Sequence, residues 1–231
     1  MPGKRSFFAP LVLLCALSSP AAALEQSPSY QRLREQLATE ESELRQRRWS
    51  GRQRSEALEQ KLLGRIDRLF RPWIGSRWGL GMPQSTRPKV GKTNCGLFVA
   101  VVLRDAGFRL PIWKFNRQAS YHAIRSVAPR YAIRYFHRAP MKEFLAKVKR
   151  MGPGLYLIGL DFHIGFLRLY PDERGLRFIH SCYITRKVTD EPAATAIPIV
   201  TSRYRMVGKI LQPNMLRAWL RRTPIKVLGN R

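Results

Sequence analysis

The chain has 231 residues, with 42 Lys and Arg against 15 Asp and Glu, which gives a formal net charge of +27. This length is enough for one domain with a real hydrophobic core, and three cysteines exclude the disulfide framework of small exported domains. So high a positive charge indicates an anionic partner or surface, and a solvated basic face with no single partner is the alternative.

The N-terminal segment has the pattern of a secretory signal peptide. Lys4 and Arg5 precede an apolar stretch over residues 6–17, which is too short to span a bilayer, and small residues follow up to Ala23. We therefore expect a signal peptide over residues 1–23 and an exported protein, periplasmic or extracellular, with no transmembrane span after cleavage. Export argues against nucleic acid as the anionic partner and favours peptidoglycan, another anionic envelope polymer or lipid headgroups.

Residues 24–60 are predicted to form a charged helical extension. Its apolar stripe is thin and consists mainly of Leu33, Leu37 and Leu44. Such a stripe predicts a loosely attached arm or a partner-facing helix. A second helix with a continuous apolar face is predicted from Arg52 to about Phe70, where Pro72 ends it.

Residues 61–212 are predicted to form the main domain. A loop over residues 73–94, rich in Gly, Pro, Ser and Thr, precedes an apolar run that predicts a helix from Cys95 to Ala106. A loop so close to a candidate nucleophile is expected to shape a cleft. Since a thiol in the first turn of a helix faces unpaired N–H groups and the positive end of the dipole, we expect thiolate to be favoured at Cys95.

The pattern changes along the rest of the chain. Helices are predicted over residues 117–127 and 141–150, strands over 155–160, 162–169, 176–184 and 204–211, and residues 131–136 are ambiguous. Tight-turn signals between the first three strands predict an antiparallel meander, and helices followed by strands indicate the α+β class. Residues 213–231 are predicted to be a basic C-terminal helix and tail.

Two histidines lie in neighbouring predicted strands. Because strand side chains alternate, His163 shares a face with Asp161 and Gly165, and the hairpin brings His180 within reach of His163 if the faces match. A thiol–imidazole pair needs a base whose second ring nitrogen is held by another polar group. This pattern predicts Cys95 as nucleophile, His163 as base and His180 as the group that orients the base.

Structural interpretations of these residues remain open. Cys95 alone fits a buried small apolar residue, His180 fits a satisfied core histidine, and Cys182 fits a packed position in the sheet or a disulfide with Cys95. No Cys or His spacing matches a structural zinc site, so neither a metal nor a cofactor is expected.

The order of these segments resembles the NlpC-type cell-wall cysteine peptidases of the papain-like superfamily. The helix-borne Cys95 is followed by His-Ile-Gly-Phe-Leu at residues 163–167 and Phe-Ile-His-Ser at residues 178–181, and Trp-Gly-Leu-Gly at residues 78–81 is similar to that family's aromatic–glycine loop. The resemblance covers about residues 62–211. It implies a papain-like fold, a Cys95–His163–His180 triad, and peptidoglycan stem peptides as substrates, whose carboxylates suit a basic cleft.

Two departures from the family pattern concern the cleft. Asn94-Cys95-Gly96-Leu97 stands where the family has Asp-Cys-Ser-Gly, and Trp78 cannot supply the hydroxyl of the family's Tyr. We expect the Cys95 N–H and the Trp78 indole N–H to hold the oxyanion, with Asn94, Gly96 and Asp161 lining the cleft.

The sequence therefore predicts an exported cysteine hydrolase that cleaves amide bonds in peptidoglycan stem peptides by acyl transfer. The alternatives are a noncatalytic cationic envelope-binding protein on a degenerate papain-like fold, and a thiol protease, deamidase or acyltransferase that acts on proteins. The sequence makes no prediction of the oligomeric state.

Overall fold

The structure, a computed structural model, describes residues 28–49 and 51–229. The predicted signal peptide lies outside these residues. Within the described part, helices and an eight-stranded, mostly antiparallel sheet form one structure, so the predicted α+β class is confirmed. No helix among the described residues is long and apolar enough to cross a membrane.

The elements follow one another in a mixed order. The helices are α1 (Pro28–Gln46), α2 (Gly51–Trp73), α3 (Cys95–Asp105), α4 (Ile112–Asn116), α5 (Ser120–Val127), α6 (Met141–Arg150), α7 (Ile197–Thr201) and α8 (Pro213–Leu220). The strands are β1 (Arg77–Trp78), β2 (Lys92–Thr93), β3 (Ile133–His137), β4 (Gly154–Gly159), β5 (Ile164–Leu169), β6 (Leu176–Cys182), β7 (Lys187–Pro192) and β8 (Tyr204–Lys209).

The sheet has the strand order β2-β1-β7-β6-β5-β4-β8-β3. Strands β4 to β6 form the predicted antiparallel meander, and β7 extends it by one strand that was not predicted; each is paired with the next along the chain. Only the short pair β1–β2 is parallel among the described strands. Strands β4 and β5 are buried along their whole length. Both faces of the central part of the sheet are therefore covered by other parts of the chain.

Helix α3 is the central helix of the larger apolar cluster. Every side chain from Leu97 to Leu103 is buried, so the helix is apolar on all sides. Asn94 caps it: the Asn94 Oδ1 accepts a hydrogen bond from the Leu97 N–H at 2.8 Å. This cap fixes the helix start at Cys95, as the sequence predicts.

Helix α1 packs on the core, which corrects the expectation of a loosely attached arm or partner-facing helix. Its buried apolar side chains are Tyr30, Leu37 and Leu44. The buried guanidinium of Arg65 in α2 also donates to the Leu37 carbonyl at 2.5 Å. The thin apolar stripe is supplemented by a buried cation of α2, which bonds both the Leu37 carbonyl and the Glu41 carboxylate of α1.

Several short elements differ from the prediction. Strand β7 and helices α4 and α7 are additional, α2 continues past Pro72 to Trp73, and residues 133–137 form a strand. Strand β7 escapes a pattern-based prediction because Val188 is its only buried residue. It is held instead by its ladder to β6.

Candidate active site

Cys95 lies at the N-terminus of α3, where the sheet meets the central helix. The Ser181 hydroxyl in β6 donates to the Thr93 carbonyl at 3.0 Å, which ties the approach to α3 to the sheet. The backbone N–H groups of Ile164, Gly96 and Cys95 itself face the sulfur. Since Ile164 is the first residue of β5 and follows His163 directly, Cys95 lies beside the start of this strand.

The two histidine rings meet, as the strand pattern predicts. The His163 Nε2 and the His180 Nδ1 are 2.7 Å apart, a hydrogen-bond distance, and the ring planes are 80° apart. His180 is fully buried and His163 is only 5 % exposed. Because the Nε2 of His163 is used by His180, its Nδ1 is the ring nitrogen that is available to another partner.

His163 lies at the end of a turn, one residue before β5 and not inside the strand. The Leu160 N–H donates to the His163 carbonyl at 2.8 Å, which closes the turn between β4 and β5. Gly165 makes the room that the sequence predicts. A Cβ there would lie 2.7 Å from the Phe178 ring and 2.8 Å from the His180 Cβ, so any larger residue would displace the ring stack of Phe178 and His180.

Two residues that the sequence analysis missed hold the far side of His180. The Glu191 Oε1 lies 2.7 Å from the His180 Nε2, and the Thr189 Oγ1 lies 3.1 Å from the same nitrogen. Both belong to β7, in which Thr189 is paired with His180 and Glu191 with Phe178. The Thr-x-Glu spacing could have pointed to this pair, because it places both side chains on one face of a strand.

Burial controls the charges of this cluster. Desolvation lowers the pKa of His163 to about 3, with a contribution from the neighbouring His180, and desolvation likewise lowers the pKa of His180 to about 3. Desolvation also raises the pKa of the Cys95 thiol, and the three surrounding N–H groups only partly oppose this rise. The resting site therefore holds a neutral thiol and neutral imidazoles, which corrects the expected preference for thiolate.

No model of a known protein family, no curated protein and no solved structure matches this chain. The interpretation of the site therefore rests on the residues and on their geometry. Cys95 and Cys182 are both free, with Cys95 partly exposed and Cys182 buried. Among the residues that the structure describes, no group of His, Cys, Asp and Glu side chains is arranged to hold a metal ion.

The predicted cleft residues have different surroundings. Trp78 is the sheet partner of Thr93, two residues before the nucleophile candidate, and the Arg186 guanidinium lies 4.3 Å from its ring centre. Its role as an oxyanion donor remains a prediction. The Asn94 amide caps α3 and also donates to the Gln84 Oε1 at 3.0 Å, so Asn94 joins the preceding loop to the helix start.

Gly96 and Asp161 both make contacts that have a structural role. A Cβ at Gly96 would lie 2.7 Å from the Asn116 Oδ1, and this buried oxygen has no hydrogen-bond partner among the described atoms. The Asp161 carboxylate accepts hydrogen bonds from the Ser202 hydroxyl at 3.0 Å and the Arg203 N–H at 2.8 Å. These contacts give Asp161 a structural role between the end of β4 and the start of β8, and its place in the cleft stays a prediction.

Two exposed aromatic side chains lie next to His163. Phe162, next to His163, is 96 % exposed, and the half-exposed Tyr183 has its ring centre 5.5 Å from that of His163. An exposed phenylalanine directly beside a buried histidine leaves apolar surface next to His163 that a ligand could contact.

Proposed function

We propose that this protein is a cysteine hydrolase that cleaves amide bonds in peptidoglycan stem peptides, on a papain-like arrangement of α3 and the sheet. One observation carries the proposal. A cysteine at a capped helix start lies beside the strand entrance that bears His163, and a second imidazole holds the distal nitrogen of that histidine at 2.7 Å. Nucleophile, base and orienting group are the three parts that covalent acyl transfer requires.

The reaction follows from these positions. The His163 Nδ1 takes the proton of the Cys95 thiol as the sulfur attacks the amide carbonyl, which forms the S–C bond. The nitrogen then leaves with the proton returned by His163, and the C–N bond breaks. Water attacks the thioester with His163 again as base, which releases the acid and restores the thiol. The backbone N–H groups around the sulfur supply hydrogen bonds to the developing oxyanion.

The neutral resting pair makes this a general-base mechanism. Since burial raises the pKa of the thiol and lowers the pKa of His163, proton transfer is uphill until a substrate carbonyl accepts the electrons of the sulfur. The His163 imidazolium would then exist only together with the oxyanion of the tetrahedral intermediate. A thiol that stays protonated at rest is also protected from oxidation outside the cell.

The substrate class is proposed from the resemblance to NlpC-type peptidases and from the charge. Stem peptides carry carboxylates, which a chain with a net charge of +27 attracts over long range. The predicted signal peptide would deliver the protein to the compartment that holds this polymer.

Digestion of purified sacculi, followed by mass analysis of the released muropeptides, tests the proposal. We expect the wild-type protein to release fragments with a cut peptide stem. Cys95→Ala should lose turnover by at least about a thousandfold while it keeps its fold, because the nucleophile is gone. Cys182→Ala is the matched control with the second free thiol removed. Undiminished release by the Cys95 variant would end the assignment.

A noncatalytic envelope-binding protein is the second candidate, which the net charge of +27 favours because acyl transfer does not need it. In the same assay such a protein would sediment with sacculi in low salt and release no fragments. Cleavage of denatured protein substrates but not of sacculi would instead indicate a thiol enzyme that acts on proteins.

A further inference from the structure

We propose, on the basis of the function proposed above, that Glu191 is a positioning residue that fixes the proton arrangement of both histidines and stabilises the imidazolium formed during acyl transfer. It acts through His180, whose Nε2 lies 2.7 Å from the Glu191 Oε1.

The proton arrangement follows from donor and acceptor chemistry. A carboxylate only accepts hydrogen bonds, so the His180 Nε2 carries the proton and its Nδ1 is left as an acceptor. The His163 Nε2, 2.7 Å away, must then be the donor. That leaves the His163 Nδ1 without a proton and able to take one from the thiol. Glu191 thus selects the one tautomer of His163 that is a base at the correct nitrogen.

The charge of Glu191 acts later in the reaction. When His163 accepts the thiol proton, a positive charge appears in a site that desolvation otherwise keeps neutral. The carboxylate is linked to that charge through two hydrogen bonds and one intervening ring. Attraction across a buried, water-poor path lowers the cost of forming the imidazolium.

The surroundings allow Glu191 to remain ionised. Burial raises the pKa of its carboxyl, and the cationic Arg177 opposes that rise. Arg177 also donates to the Asp190 carboxylate at 2.8 Å, and the Glu191 side chain keeps 29 % of its surface exposed to water. The Thr189 hydroxyl and the Phe178 ring also contact His180, and both are uncharged.

Imidazole ¹⁵N NMR of the full chain tests the proton arrangement without any need for activity. We expect both His163 and His180 to carry their proton on Nε2 at pH 7. Glu191→Gln retains an acceptor and should keep this tautomer, whereas Glu191→Leu should release it. A proton on Nδ1 of either ring in the wild-type protein would overturn the inference even if every variant failed to fold.

Kinetics test the charge. Glu191→Gln should lower kcat on soluble muropeptides by at least about tenfold, which corresponds to one pKa unit of lost imidazolium stabilisation, with little change in KM. Glu173→Gln, which neutralises an exposed carboxylate in the turn between β5 and β6, is the matched control and should behave as wild type. A Glu191→Gln variant as active as this control would refute the role of Glu191.

Failure of the two proposals can be told apart. If the wild-type protein leaves sacculi intact, the proposed function fails, and the role of Glu191 in acyl transfer fails with it. If the wild-type protein and Glu191→Gln digest sacculi equally well, the hydrolase stands and only the inference about Glu191 is overturned.

Discussion

The two ends of helix α3 show how one fold treats buried polar groups in different ways. At the C-terminal end, the Ala106 carbonyl accepts from the Arg65 guanidinium at 3.0 Å and from the Trp219 indole at 2.8 Å. The buried Asp105 carboxylate there accepts from the Tyr30 hydroxyl at 2.5 Å and from Arg104 at 2.8 Å. Around these residues charge is matched, although the buried Trp73 Nε1, whose ring packs edge-on against Tyr30, has no hydrogen-bond partner among the described atoms.

The N-terminal end of α3 holds titratable groups that are kept neutral by burial. The sulfur of Cys95 faces backbone N–H groups, and two imidazoles are held neutral although a carboxylate lies within reach. The buried Asn116 Oδ1 nearby has no partner among the described atoms. Titratable groups held neutral beside a candidate nucleophile at one end, and paired charges at the other, are the pattern expected where one end is suited to chemistry and the other to stability.

Removal of Arg65 should have the largest effect on stability. Arg65→Met keeps the length of the side chain but leaves the Leu37 carbonyl without this donor and separates Glu41 from its buried cation. We expect a loss of about 3 kcal/mol in the free energy of unfolding, measured by urea denaturation at pH 7. Turnover per folded molecule should not change, because the affected contacts lie at the other end of α3.

Lys61→Met is the matched control for this prediction, since Lys61 is an exposed cation on the same helix α2. It should change stability by less than about 0.5 kcal/mol. If both variants unfold at the same urea concentration as the wild-type protein, the C-terminal end of α3 does not have the structural role assigned to it.

The fold was predictable from the sequence where apolar side chains repeat with a clear period. Helix α6 begins and ends where the pattern places it, and strands β4 to β6 lie within two residues of their predicted bounds. Strand β7 was not predictable, because its sequence Lys-Val-Thr-Asp-Glu-Pro buries one apolar residue and is held by the hydrogen bonds of a neighbour. The docking of α1 was missed for a related reason, since a buried arginine in α2 contributes to it.

The site was predictable to the extent that its residue types are rare. A cysteine at a helix start and two histidines in neighbouring predicted strands stand out, whereas Glu191 lies in a charged segment where a solvated side chain is the ordinary expectation. The neutral charge state could not be predicted either. A helix start alone favours thiolate at Cys95, and only the folded structure reveals the burial that outweighs it.

Acid should destabilise the protein through the protonation of His163 and His180. Both imidazoles have a folded-state pKa of about 3 against an ordinary value of 6.5, so the unfolded chain binds more protons between these limits. Their contribution to stability is complete above pH 6.5 and is lost as the pH falls toward 3. Between pH 6.5 and 5 we expect a loss of about 1.5 kcal/mol per imidazole, measured as the pH dependence of the urea midpoint.

Two variants assign this acid sensitivity. His180→Gln should reduce the pH slope of stability over that range, because one of the two neutral imidazoles is removed. His137→Gln, at an exposed position of β3, should leave the slope as it is in the wild-type protein. A slope that His180→Gln does not alter would show that other groups cause the acid loss.

The smallest expected effect is that of Tyr30→Phe at the C-terminal end of α3. The change removes the hydroxyl that donates to Asp105, but Arg104 still donates to that carboxylate and Arg34 still lies 3.8 Å from it. The free energy of unfolding should fall by only about 1 kcal/mol, because the buried Asp105 carboxylate keeps its other partners. A buried carboxylate left with no partner would cost far more. Urea denaturation measures this, with turnover on muropeptides expected to be unchanged. A loss as large as that of Arg65→Met would mean that Asp105 depends on the phenol and not on its arginines, and that the matched charges at this end of the helix are less redundant than its contacts indicate.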